Sequence, residues 1–304
     1  MNLNINNETN TLVSVVLGIA NDMGSEPLIE NCIDPKTRDS IINNSYPEEI
    51  KCIKQIEMFA KILKKHDVKI IRPKNIKNLN QIFSRDIAFV IENKIFVPEI
   101  IKERNNEKNG ILDLINRINK ENKIFLPKNI KIEGGDIILY NDYIFIGYTN
   151  DSDFNKLKVA RTNSMGFEFI KKSFPKKKVF GFELIKNDYN PYSNVLHLDC
   201  TMQPIGKNQI IIYEKGFKKK EDIKFLYELF GTKNIIKINR SELFDLNSNI
   251  FSINTNTIVS NKSFERLNSK LESHGYNVEK IEYGEISKFG GLFRCTTLPI
   301  ERKE

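Results

Sequence analysis

The sequence has no tryptophan, three histidines (His66, His197 and His274) and four cysteines (Cys32, Cys52, Cys200 and Cys295) in 304 residues. Without tryptophan, phenylalanine and the aliphatic side chains must fill the core. The cysteines never fall at C-x-x-C spacing, which argues against a zinc site and against a disulfide framework. Free thiols of this kind fit a reducing cytoplasm, where a nucleophilic cysteine stays active. No apolar run approaches the roughly 18 residues of a membrane span. Neither G-x-G-x-x-G nor a Walker motif occurs, so no nucleotide fingerprint is present. Residues 1–11 are rich in asparagine and lack the basic start and apolar stretch of a secretory signal. They are expected to form a short flexible tail, with residues 12–304 as one domain.

Hydrophobic residues make up 40% of the chain and charged residues 28%, a balance that can build a globular core. The formal net charge is +8, which alone would suggest anionic partners. The lysine clusters at 171–172, 176–178 and 218–220 carry no interleaved aromatics and match no nucleic-acid module. They read as solvated surface, with no nucleic-acid or membrane partner expected.

The periodicity alternates between helix and strand. Residues 12–20 are β-branched and apolar, as in a buried strand. In 47–66, Ile50, Ile53, Ile56, Phe59, Ala60 and Leu63 recur at helical spacing. Further helices are expected over 111–122, 162–172, 221–230 and 262–274. Hairpins are expected over 87–97, 137–148 and 249–260, with a turn at 204–207 before another strand. About five such rounds of roughly 60 residues fit the chain. Their antiparallel pairs disfavour a doubly wound parallel sheet. His66 and His274 fall at helix C-termini, where an imidazolium complements the helix dipole. That leaves His197 for histidine chemistry.

Four polar spots lie between loops and apolar strands: Arg85-Asp86, Glu133-Gly134-Gly135-Asp136, His197-Leu198-Asp199 and Gly290-Gly291-Leu292-Phe293-Arg294-Cys295. Each has a plain structural reading. Asp86 and Asp136 could cap turns, His197 could be a core histidine, and Cys295 could be an inert buried thiol. Together they supply a thiol, an acid/base and several carboxylates at junctions where function concentrates. A thiolate and an imidazole suit attack on an electrophilic carbon. Clustered carboxylates call for a cation, and a guanidinium matches them in bidentate geometry. A metal-dependent hydrolase is the competing reading, but it gives the thiol and the histidine no role. No metal and no cofactor are therefore expected.

From about Val13 to Arg302, these four spots in order resemble the guanidino-group-modifying enzymes: arginine deiminases, amidinotransferases and dimethylarginine dimethylaminohydrolases. The resemblance implies an α/β fold, a five-bladed propeller (pentein) of ββαβ units. It implies Cys295 as nucleophile, forming a covalent amidino intermediate, and His197 as general acid/base. It implies Glu133 as a carboxylate assisting proton transfer, and Asp86 and Asp199 as grips on the guanidinium. Arg161 would bind the substrate α-carboxylate. Arg294 would add to that or lower the Cys295 pKa. Asp136 would sit at the substrate or orient the His197 loop. The implied reaction is hydrolysis of arginine or a derivative to citrulline and ammonia. The Glu133-Gly134-Gly135-Asp136 and His197-Leu198-Asp199 motifs favour it over an amidinotransferase or a dimethylarginine hydrolase. A non-catalytic ribosome-binding protein of the same fold is the remote alternative. The expected partner is a small guanidino molecule; a homo-oligomer is left open.

Overall fold

The computed structural model describes residues 1–304. Strand β1 (Thr11–Leu17) pairs in parallel with β2 (Lys69–Ile71) across the helix Glu49–Lys65. The next three strands, β3 (Phe89–Ile91), β4 (Lys94–Val97) and β5 (Lys123–Phe125), form an antiparallel hairpin followed by a parallel partner. The same order recurs in β6 (Ile137–Tyr140), β7 (Tyr143–Tyr148) and β8 (Lys178–Glu183). It recurs in β9 (Met202–Ile205), β10 (Gln209–Ile212) and β11 (Ile235–Lys237). It recurs again in β12 (Phe251–Ser252), β13 (Thr257–Asn261) and β14 (Asn277–Ile281). The final strand, β15 (Thr297–Lys303), pairs antiparallel with β1 and completes the first sheet. Five three-stranded sheets thus share one topology, and in the first the hairpin is assembled from both ends of the chain.

A parallel partner needs a crossover connection, which a helix usually supplies. Those crossovers are Glu49–Lys65, Leu112–Asn116, Ser164–Ser173, Lys220–Phe230 and Glu265–Ser273. The first buries Cys52, Ile56, Phe59, Ala60 and Leu63, one stripe at helical spacing. Ile50, expected on that stripe, is 71% exposed because it falls in the first turn, off the buried face. Phe59 meets Phe293 edge-on at 5.3 Å between ring centroids, and Phe251 at 5.8 Å. Such pairs add about 0.5–1.5 kcal/mol beyond their buried area. They fix the chain two residues before Cys295. Ser164–Ser173 starts two residues later than the helix expected over 162–172, with the Asn163 side chain accepting from the Gly166 amide.

Three expectations change. The helix expected over 111–122 is instead a 3-10 stretch, Lys102–Ile111, then the five-residue Leu112–Asn116, then a 3-10 turn at Lys120–Asn122. Pro204 lies within β9 rather than in a turn. This edge strand loses nothing by the missing proline N–H. Nor does the N-terminal segment hang free. Asn4 N donates to Ile300 O at 3.1 Å, Arg302 N donates to Asn4 O at 2.8 Å, and Leu3, Ile5 and Glu8 are buried. No helix is long and apolar enough to cross a membrane.

Candidate active site

Each sheet is entered through a short turn, and the five turns converge. Asp86 lies in the single turn Ser84–Ile87 leading to β3. Glu133 immediately precedes the 3-10 turn Gly134–Asp136 leading to β6. His197, in extended backbone, precedes the 3-10 turn Leu198–Cys200 leading to β9. Asn249 and Cys295 stand two residues before β12 and β15.

Hydrogen bonds tie neighbouring turns together. Arg85 N donates to Cys295 O at 3.0 Å, and Gly135 N to Asp86 Oδ1 at 3.3 Å. Leu198 N donates to Asp136 Oδ1 at 2.9 Å, while Thr162 Oγ1 donates to Asp136 Oδ2 at 2.6 Å. The paired glycines of the 133–136 motif allow this approach. A Cβ on Gly134 would lie 2.1 Å from Arg85 O, and one on Gly135 2.7 Å from His197 Cγ.

Asp86, His197, Cys295, Arg161, Arg104 and Phe83 line a cavity of about 270 Å³. Glu133 lies behind His197, with Oε2 2.8 Å from Nε2. His197 Nδ1 has no hydrogen-bond partner and sits 3.8 Å from Asp86 Oδ1. Burial acts to lower the His197 pKa, but Asp86, the Glu133 hydrogen bond and Asp136 raise it to about 9. His197 is therefore an imidazolium at neutral pH. Burial pushes Glu133 upward, yet Arg161, the bond to His197 and Arg104 hold it at about 2. Arg161 places Nη1 3.3 Å from Glu133 Oε2 and donates through Nη2 to Ile33 O at 2.9 Å.

Cys295 is buried. Its sulfur lies 3.7 and 3.9 Å from the Asp199 carboxylate oxygens. Its pKa is pushed well above the ordinary thiol range by the adjoining Cys200 thiol, by burial and by Asp199. The expectation that Arg294 lowers it is overturned. The Arg294 guanidinium turns away from the cavity, donating through Nη1 to Asp199 Oδ2 at 2.8 Å and to Glu8 at 3.0 and 3.2 Å. Bound this way, Arg294 cannot reach a substrate carboxylate either. Asp136 is likewise out of the cavity; it braces the His197 turn. Asp199, expected to grip the guanidinium, lies within the 3-10 turn Leu198–Cys200. It underlies the sulfur instead, outside the cavity lining.

The residues not anticipated from the sequence are Arg104, Glu107, Asn249 and Glu8. Arg104 Nη1 lies 2.7 Å from Asp86 Oδ2, and its Nε and Nη2 fork onto Glu107 at 2.8 Å each. Nothing in the polar stretch 102–111 marks either residue. Asn249 had a signal: it opens the one repeat to which no site residue was assigned. Asp86, Glu133 and His197 bring one ligand-type atom each within 4.8 Å of one another. The guanidiniums of Arg104 and Arg161 already neutralise this cluster, which leaves little drive to bind a metal cation.

Residues 32–302 match the family model described as N,N dimethylarginine dimethylhydrolase, eukaryotic. The chain belongs to this family. It is 27% identical over 252 residues to the uncharacterized protein YkgA of Bacillus subtilis, covering 82% of this chain and 80% of that one. It is 26% identical over 207 residues to an arginine deiminase of Streptococcus uberis, covering 58% of this chain but 48% of that enzyme. The chain thus spans about half of that relative's length. Its fold matches SxtG, an amidinotransferase of the saxitoxin biosynthetic pathway from Microseira wollei. The TM-score is 0.78 at 18% identity, over 99% of this chain and 98% of that one. The chain is thereby placed among the guanidino-group-modifying enzymes, with a mixed α/β fold.

Proposed function

We propose that this protein hydrolyses the guanidino group of arginine or an N-methylated arginine through a covalent intermediate on Cys295. The observation that carries the reading is the convergence of Cys295, His197 and Asp86 on one cavity, with Glu133 hydrogen-bonded to His197. The five sheets that bring them together would stand as blades around a pseudo-fivefold axis, closed by the pairing of β15 with β1.

In the free protein the thiol is held protonated and His197 is charged. A guanidinium entering beside Asp86 brings positive charge next to Asp199 and the sulfur, which favours the thiolate. As the thiol ionises, its proton passes to water. The sulfur lone pair then forms a bond to the guanidinium carbon, and the C=N electron pair moves onto nitrogen. As the C–N bond breaks, the imidazolium of His197 gives its proton to the departing amine. The neutral imidazole then takes a proton from the attacking water. The C–S bond breaks, the thiolate leaves, the remaining hydroxyl proton passes to solvent as the carbonyl forms, and citrulline remains. Glu133 keeps the imidazole oriented and stabilises its charged form throughout. Arg161 would meet the substrate carboxylate.

Arginine would release ammonia, and a methylated arginine a methylamine. The matching family model favours the methylated substrate over the arginine that the motifs suggest. The test incubates the protein with arginine, monomethylarginine and dimethylarginine, with and without an amine acceptor, and reads the products by mass spectrometry. Citrulline, absent in a folded Cys295→Ser protein, supports the reading. Ornithine plus a new guanidino compound, formed only with acceptor, would replace it with amidino transfer. Turnover by Cys295→Ser would overturn the mechanism.

A further inference from the structure

The catalytic reading above draws one side chain from the turn before each of four sheets: Asp86, Glu133, His197 and Cys295. The remaining sheet begins at β12, and the residue in the corresponding place is Asn249. Its side chain is fully buried and turned to the nucleophile. Asn249 Oδ1 accepts from Leu292 N at 3.2 Å and from Cys295 N at 3.1 Å. Two backbone donors on one atom identify that atom as the carbonyl oxygen, because the amide NH₂ has no acceptor capacity. The orientation of the amide is thereby fixed. The NH₂ group must face the other way, where it lies 3.2 Å from Cys295 Sγ and 3.4 Å from Asp199 O.

The backbone entering this turn is itself constrained. Leu246 has φ +64°, the left-handed region, which a bulky L-residue adopts only when its surroundings enforce it. Asn249 N closes the turn by donating to Leu246 O at 2.8 Å. Strained turns of this kind gather at sites where a side chain must be held in one place.

We propose that Asn249 is a catalytic residue: its side-chain amide donates to the sulfur of Cys295 and stabilises the thiolate that attacks the guanidino carbon. The charged and titratable groups around the sulfur show why a donor is needed there. Asp199 and Cys200 face it from the turn before β9, Asp86 from the turn before β3, and each raises the cost of ionising the thiol. Among these acidic neighbours, Asn249 supplies an N–H aimed at the sulfur. The Arg294 guanidinium, one residue away, is bound to Glu8 and Asp199. An uncharged donor suits the site, since it can stabilise the thiolate without competing for the space of a cationic substrate.

The inference rests on Cys295 being the nucleophile, and the test separates the two. Wild type, Asn249→Ala and Asn249→Asp are alkylated with iodoacetamide across pH. Modification of Cys295 is followed by peptide mass, and turnover and unfolding are measured on the same samples. Asn249→Asp is the informative variant. It keeps an oxygen for the Leu292 and Cys295 amides and replaces the N–H facing the sulfur with oxygen. The expected result is a Cys295 alkylation profile displaced to higher pH in both variants. Turnover in the folded Asn249→Asp protein should fall by at least about tenfold. Wild-type alkylation and turnover in Asn249→Asp would overturn the proposal, even if Asn249→Ala were inactive, because the role would then be to hold the backbone. The alkylation profile decides the matter whether or not any guanidino compound is turned over.

Discussion

Arg104 Nη1 lies 2.7 Å from Asp86 Oδ2, so the protein's own guanidinium already occupies one oxygen of the carboxylate expected to grip the substrate. Only Oδ1 of Asp86 faces His197 Nδ1. A substrate guanidinium therefore meets a carboxylate whose Oδ2 is held by Arg104 and whose Oδ1 carries one long bond from Gly135 N, with Arg104 held in place by its fork to Glu107. Replacing Arg104 with alanine leaves two buried acids without their cation. Breaking a buried pair this way costs about 3–5 kcal/mol. Urea unfolding at neutral pH should show a loss of that size for Arg104→Ala, and a loss below about 1 kcal/mol would mean that the pair is not buried as described.

The Glu133–His197 pair sets a pH window for stability. The His197 pKa is raised from 6.5 to about 9, so its contribution is complete below pH 6.5 and disappears as pH rises through about 9. The Glu133 pKa is lowered from 4.5 to about 2, so its contribution is complete above pH 4.5 and disappears as pH falls through about 2. Their joint contribution is greatest between pH 4.5 and 6.5. Denaturant unfolding followed from pH 6 to 9.5 should show falling stability in the wild type and a flatter curve in His197→Gln.

Gly135 tests the packing of His197 without replacing any titratable group. A methyl group there would lie 2.7 Å from Cγ and 2.8 Å from Nδ1 of the imidazole. The ring must shift, and its bond to Glu133 with it. Gly135→Ala should lose about 100-fold in kcat while costing about 1–3 kcal/mol of stability. Turnover measured beside circular dichroism would show the two effects apart.

Glu8 is far from Cys295 in sequence but three contacts from its sulfur in space. Its carboxylate receives Nε and Nη2 of Arg294, whose Nη1 reaches Asp199 beneath the sulfur. Burial opposes ionisation of Glu8, yet Arg294 and Arg85 bring its pKa down to about 2. Glu8→Gln removes the charge and keeps the shape. It should destabilise the fold by about 3 kcal/mol and reduce turnover, whereas a free tail would leave both unchanged.

The sequence made the repeat legible because each hairpin alternates or runs apolar, as at 137–148, and each crossover helix carries a stripe like that of Ile56, Phe59 and Leu63. It also marked Asp86, Glu133, His197 and Cys295, since each is a reactive side chain beside glycine or an apolar strand. Arg104, Glu107 and Glu8 were not legible. They are charged residues in polar stretches, and only three-dimensional pairing distinguishes them from surface charge. Arg294 was misassigned for the complementary reason: adjacency to Cys295 in sequence says nothing of the direction of a long side chain. The strand at Met202–Ile205 was hidden by Pro204, whose tolerance depends on its place at a sheet edge.

Because the five site turns belong to five different sheets, no continuous fragment of the chain contains an assembled centre. A peptide ending after β8 would carry Asp86 and Glu133 but lack His197, Asn249 and Cys295. The complementary fragment would carry those three and lack the carboxylates. The first would also lack β15, and the second β1 and β2, of the one sheet these three strands form, and so each would expose an open edge to the other. Two such halves, inert when separate, have the matching surfaces needed to reconstitute activity on mixing. Restored turnover would then report on strand pairing between the halves.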